Sequence, residues 1–246
     1  MTEFYLDTSK KPVVFDASIF IHANYHILTS YVSEDMIDSK MLADKVIQQI
    51  EYIATKHFSL HPIHLVIDSK AFRYGLHDTY KGERASKNID FKLVNKTLMH
   101  HFSCFKMAGL EADDIAYLFA TKRDCILVSN DNDYLLMLRD GVELFKYRQE
   151  ELISLDADQV LCEQILKVID GCSGDNVPKI KLKRWGPSAV KKFVAKKSQL
   201  LEEHLMDLLD QGIITDWTRN HELVVYRLAT YEKYLGKPFL DFYKTL

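Results

Sequence analysis

The sequence predicts an α/β protein: a central, mostly parallel sheet flanked by helices, with a C-terminal helical lobe. Three observations lead there. Three short apolar runs are continuous rather than alternating, as in strands buried on both faces. Helical periodicity fills the intervals between them, and strands alternating with helices imply an open α/β sheet. From about Glu150 onward the apolar runs give way to helical patterns and loops.

The first run, Pro12-Val13-Val14-Phe15, leads into Asp16. A helix is expected over 41–57, where Leu42, Val46, Ile50 and Ile53 fall at helical spacing, with Asp38 or Ser39 as its N-cap. The second run, Ile63-His64-Leu65-Val66-Ile67, leads into Asp68, and a further helix should start near Glu111 and continue through Ile115, Leu118 and Phe119. The third run, Cys125 to Asn130, leads into Asp131 and Asp133. Each strand thus delivers an acid to its carboxyl end, where open α/β sheets place their working sites. Later helices are expected over 158–170, 188–197, 200–211 and 219–235. The natural division is 1–150 and 151–246. With 9 glycines and 5 prolines there is no long flexible linker, so the two lobes should pack as one body.

Composition narrows the functional classes. A hydrophobic share of 47% supplies a core and 27% charged residues keep the chain soluble. No apolar run approaches the ~18 residues of a membrane span. Residues 1–12 carry Glu3, Asp7, Lys10 and Lys11 and lack the apolar stretch of a signal peptide, so a cytoplasmic location is expected. The cysteines, Cys104, Cys125, Cys162 and Cys172, form no CxxC pair, which argues against structural zinc and disulfides. His22 and His26 have zinc-ligand spacing but lack the Glu of an HExxH motif. The net charge of −3 is a sum over opposed patches.

The acids carry the chemistry. Glu111, Asp113 and Asp114 sit at a helix start, where negative charge also complements the helix dipole. Capping explains that run alone, but it does not explain why Asp16, Asp68, Asp131 and Asp133 stand at strand ends. Seven carboxylates in one crevice would repel one another unless cations neutralised them. Hard oxygen ligands suit Mg²⁺ or Mn²⁺. Two such ions, about 3.5–4 Å apart, activate a water and stabilise the leaving oxygen of a phosphodiester. Asp175, an eighth acid, lies in a glycine- and proline-marked turn, where Asp is also an ordinary turn residue.

The motifs Val14-Phe15-Asp16-Ala17-Ser18, Val66-Ile67-Asp68, Tyr80-Lys81-Gly82-Glu83-Arg84, Glu111-Ala112-Asp113-Asp114, Ser129-Asn130-Asp131-Asn132-Asp133 and Gly174-Asp175-Asn176-Val177-Pro178 occur in this order. In them the chain resembles the flap endonucleases and 5′-to-3′ exonucleases, particularly the small phage and bacterial 5′-nucleases. The resemblance spans about residues 13–190 and implies a PIN-like fold. It places Asp16, Asp68, Glu111, Asp113 and Asp114 at one metal position and Asp131, Asp133 and Asp175 at or near a second. It further implies a nuclease that cuts 5′ flaps, nicks, 5′ ends and RNA–DNA primer duplexes; a monomer in a bacterial cell is expected, and the small size suggests that a phage encodes it.

Two basic stretches agree with a DNA substrate. Between Ser69 and Lys96 lie Lys70, Arg73, Lys81, Arg84, Lys87, Lys92 and Lys96, interleaved with Phe72, Tyr74 and Tyr80, a pattern suited to gripping phosphates and stacking bases. Arg73, Tyr80 and Lys87 are expected to contact DNA. By the resemblance this stretch, about 69–96, is a helical arch, and Lys81 and Arg84 are the basic pair at the scissile phosphate. From Asn176 to Leu201 lie Lys179, Lys181, Lys183, Arg184, Lys191, Lys192, Lys196 and Lys197 with no acid, a one-sided run that seeks phosphate. Gly186-Pro187-Ser188-Ala189 resembles the second half of the family's helix-hairpin-helix, an element at about 170–197 here that grips duplex backbone and often binds K⁺. The first half departs, lacking the usual hairpin glycine, which touches K⁺ binding more than DNA contact. At Cys172 the family usually has an acid, so a weaker second metal position is expected. The rival readings are a PIN-type ribonuclease and a catalytically silent DNA-junction binder; the second basic run speaks against the first and the acidic set against the second.

Overall fold

The computed structural model describes residues 9–76, 80–81, 89–183, 185–194 and 200–246. Six strands, β1 (Val13–Asp16), β2 (Ile63–Val66), β3 (Ser103–Phe105), β4 (Cys125–Val128), β5 (Val142–Lys146) and β6 (Glu151–Ile153), form one sheet. The order across it is β3-β2-β1-β4-β5-β6, and neighbours run parallel except for β5 and β6. Buried throughout, β1 and β4 are two of the continuous apolar runs. No residue pattern marks β3, β5 and β6 in advance. Two are short edge strands, and β5 is interrupted by Glu143, which Lys11 meets at 3.1 Å.

Around the sheet are α1 (Ala17–Thr29), α2 (Ser39–His57), α3 (Phe91–His101), α4 (Ala112–Lys122), α5 (Ala157–Asp170), α6 (Pro187–Val194), α7 (Leu201–Asp210), α8 (Thr218–Val224) and α9 (Leu228–Thr245). Strand side chains alternate between faces. Val13 and Phe15, with Leu65 and Val128, pack against α1, α2 and α3, while Val14, Val66 and Leu127 face α4 and α9. A third core is built from α5 to α8 and also takes in Ala71 and Tyr80. Asp38 caps α2, accepting the Met41 N–H at 2.6 Å.

The single helix expected over 219–235 is corrected. The chain leaves helical geometry after α8, with Val225 and Arg227 extended. Here it crosses from one core to another: Leu223, Val224 and Val225 belong to the third core, Tyr226 and Tyr231 to the sheet core. The end of the chain therefore packs on the first lobe. Of the expected arch, residues 77–79 and 82–88 lie outside the described residues; what is described is a 3₁₀ turn at Phe72–Gly75 and α3 from Phe91. No helix among the described residues is long and apolar enough to cross a membrane.

The strand order reverses its direction of growth between β1 and β4. The connections then leave the sheet on opposite faces, opening a crevice beyond the carboxyl ends of these two strands.

Candidate metal centre

Seven of the eight acids expected from the sequence line that crevice: Asp16, Asp68, Glu111, Asp113, Asp131, Asp133 and Asp175. Each is placed by local backbone chemistry. Asp16 ends β1 and caps α1, its Oδ1 accepting the Ser18 and Ile19 N–H groups at 3.0 and 3.4 Å. Asp68 follows β2, and its Oδ1 accepts the Ala112 N–H at 2.7 Å, fixing the start of α4. Asp131 follows β4 and accepts the Asp133 N–H at 3.0 Å. Asp175 lies in a turn closed by two backbone hydrogen bonds of 2.9 Å between Cys172 and Val177. The turn is entered through Gly171 at φ +63°, where a Cβ would collide with the Val177 and Pro178 carbonyl oxygens. Only glycine fits there.

Asp114 behaves differently. It is fully buried and does not line the crevice. Both its oxygens accept from Arg73, Nη1 to Oδ2 at 2.8 Å and Nη2 to Oδ1 at 2.6 Å. Tyr231 adds a hydroxyl at 2.8 Å and Glu111 its backbone N–H at 2.9 Å. With four donors on two oxygens, Asp114 anchors the first turn of α4 and leaves little capacity for a cation. Its near neighbours Glu111 and Asp113 remain open to the crevice, and the three acids have oxygens mutually within 4.8 Å.

The expectation that Arg73 and Tyr80 contact DNA is corrected by their burial. Arg73 is 2% and Tyr80 3% exposed. Arg73 is spent on Asp114 and on Glu111 at 3.5 Å, and Tyr80 donates its hydroxyl to Glu111 Oε2 at 3.0 Å. Both position the acids instead. Lys81 reaches the crevice: its ammonium pairs with Glu111 and lies 3.9 Å from Asp175 Oδ1.

Burial and mutual repulsion raise several of these carboxyls. Burial, reinforced by Asp68 and Asp131, pushes the Asp16 carboxyl up to about 7. Burial and the adjacent Asp114 and Glu111 raise Asp113 well above the carboxylate range. Glu111 and Asp133 are raised mainly by burial and in part held down by Lys81 and Lys167. Crowded carboxylates of this kind offer hard oxygen donors that suit a divalent ion, which would relieve their repulsion.

Residues 11–164, well over half of the chain, match the family described as 5′-3′ exonuclease, N-terminal resolvase-like domain. The chain belongs to this 5′-3′ exonuclease family. Among solved structures, a bacteriophage T5 protein co-crystallised with metal ions superposes with a TM-score of 0.67 at 20% identity, covering 96% of this chain and 98% of the other. The zinc-bound bacteriophage T5 5′-exonuclease gives 0.62 at 20% identity with the same coverage. A bacteriophage T5 flap endonuclease complexed with DNA and metal ions gives 0.61 at 19% identity, covering 96% and 97%. These likenesses establish the PIN-like fold with its helical lobe.

In this member of the 5′-3′ exonuclease family, Lys167 and Tyr226 join the site though no sequence motif marked them. Lys167, on α5, pairs with Asp133 at 2.6 Å. Tyr226 donates its hydroxyl to Asp113 Oδ2 at 3.0 Å. His22 also lines the crevice. Only tertiary folding brings Lys167 and Tyr226 in. The second basic stretch is exposed at Lys179, Lys181, Lys183, Gly186, Ser188, Lys191 and Lys192. Among the described residues, Lys179 meets Asp170 at 2.6 Å and Lys191 meets Glu163 at 3.1 Å. The sites expected at Arg84, Lys87 and Arg184 lie outside the described residues.

Proposed function

We propose that this chain is a structure-selective 5′-nuclease, hydrolysing DNA and RNA-primer phosphodiesters at 5′ flaps, nicks and 5′ ends with Mg²⁺, for which Mn²⁺ can substitute. The single observation that carries this reading is the convergence of seven carboxylates at one sheet edge, with Lys81 among them. Asp16, Asp68, Glu111 and Asp113 would hold one ion, and Asp131, Asp133 and Asp175 a weaker second. Bound divalent ions supply Lewis acidity to the phosphodiester oxygens and a more acidic attacking water.

The chain's own residues do the rest. Asp16 and Asp113 give up the protons that burial makes them retain and so become ligands. Lys81 places a positive charge beside Glu111 and Asp175, where negative charge on a phosphate would develop. Arg73, Tyr80, Tyr226 and Tyr231 hold the acids in place from behind. The exposed lysines between 179 and 192 grip the duplex backbone without reading sequence. A ribonuclease acting on single strands would have little use for that strip. The protein is proposed to act as a cytoplasmic monomer, and K⁺ at the 186–188 turn is not needed for its DNA contact.

The test is a panel of 5′-flap, nicked, blunt and RNA-primed duplexes, each with Mg²⁺ and with chelator. Cleavage near 5′ ends and junctions, in Mg²⁺ alone, is expected; cleavage confined to single-stranded RNA would favour the ribonuclease.

A further inference from the structure

Lys167 stands in the last turn of α5, inside the acidic crevice. Its ammonium lies 2.6 Å from Asp133 Oδ1, with side-chain exposures of 18% and 26% for the two partners. Cys172, five residues on, lines the same wall and offers a neutral thiol where an acid would add a ligand. The two sides of the crevice therefore differ. Asp16, Asp68, Glu111 and Asp113 line one wall, whereas a thiol and an ammonium stand beside Asp131, Asp133 and Asp175 on the other.

We propose that Lys167 is the resident cation at Asp133, so that the DNA-free protein takes one divalent ion and a second enters beside Asp131, Asp133 and Asp175 only by displacing this ammonium. This rests on the crevice being a divalent-metal nuclease site. Its physical basis is competition. An ammonium on a flexible four-carbon stem is a point charge that satisfies Asp133 without being a fixed part of the wall. While it stays, a dication arriving nearby meets like charge and one carboxylate oxygen already engaged. An incoming phosphodiester changes both effects, because its oxygens attract the ammonium away from Asp133 and complete the coordination of an ion that keeps only partly protein ligands. Lys167 would thereby couple occupancy of the second metal position to the presence of substrate.

The experiment is titration of the full-length, DNA-free protein with Mn²⁺, followed by calorimetry and by the electron paramagnetic resonance signal of free Mn²⁺, with no cleavage involved. The wild type should bind one equivalent. Lys167→Met should bind two, the second at least about tenfold tighter than any second binding by the wild type, since removing one close charge is worth a factor of that order. Lys167→Arg should remain at one. Lys167→Gln, which also removes the charge, serves if the methionine variant does not fold. Two equivalents in the wild type, or one equivalent in a folded charge-removed variant, would overturn the proposal. Because only stoichiometry is read, failure here is distinct from failure to cut 5′ structures. A wild type that binds no Mn²⁺ would overturn the metal reading and this proposal together.

Discussion

At the residue scale, Asp113 and Asp114 are neighbours with opposite duties. Asp113 faces the crevice, whereas Asp114 holds the buried Arg73. Asp114→Asn should therefore lower unfolding stability by about 3–5 kcal/mol, the usual cost of leaving a buried charge without its partner. Urea denaturation checks this; a stability within about 1 kcal/mol of the wild type, a margin near that of an ordinary surface substitution, would show that Arg73 finds other compensation. Asp113→Asn should keep or gain stability, because it removes a carboxyl that burial disfavours. Lys81→Ala should slow single-turnover cleavage about 10²–10³-fold with DNA affinity little changed, as for loss of a charge aimed at the reacting group. Cys172→Asp should lower the Mg²⁺ concentration giving half-maximal rate, and an unchanged requirement would show that this side chain never serves the ions. Asp16, Asp68, Asp131 and Asp133 were legible in the sequence because they follow apolar runs, and Glu111 and Asp113 because they open a helix. The burial of Arg73 was not, since its partner is 41 residues away and a basic residue in a charged stretch looks solvated.

At the scale of elements, structure was legible where burial on both faces wrote itself into the residues, as in β1 and β4. It was not at β3 and β6, which are three residues long and at the edges. Nor was the break between α8 and α9. Helical periodicity continues across that point while the chain changes cores, and periodicity does not say which core a face will meet. The turn carrying Asp175 depends on Gly171. Gly171→Ala should cost about 1–3 kcal/mol in strain and reduce cleavage more than it reduces DNA binding, a split measured by single-turnover kinetics beside fluorescence anisotropy. The strip on α6 should act separately. Lys191→Ala with Lys192→Ala should weaken duplex binding and reduce the slope of log affinity against log salt by roughly 0.9 for each phosphate no longer neutralised. An unchanged slope would remove these lysines from the interface.

For the whole molecule, metal and fold are linked through protons. Asp16 is raised from 3.8 to about 7 in the folded protein, so folding favours its protonated form. The stability this lends is complete below about pH 4 and is lost as pH rises through about 7. Metal-free protein should melt at lower temperature at pH 8 than at pH 5, and saturating Mg²⁺ should raise Tm more at the higher pH, because ligands must be deprotonated to bind. Differential scanning calorimetry with and without chelator measures both. The central claim, that the crevice cuts DNA from its 5′ side through bound divalent metal, is tested most directly by one time course. Protein stripped with chelator is mixed in excess with a 5′-end-labelled flap duplex, and Mg²⁺ is then added, in parallel for the wild type and Asp131→Asn. The duplex should be bound but intact until Mg²⁺ arrives, then release a short labelled 5′ fragment in the wild type alone. Product before Mg²⁺, or a near wild-type rate for Asp131→Asn, would contradict it.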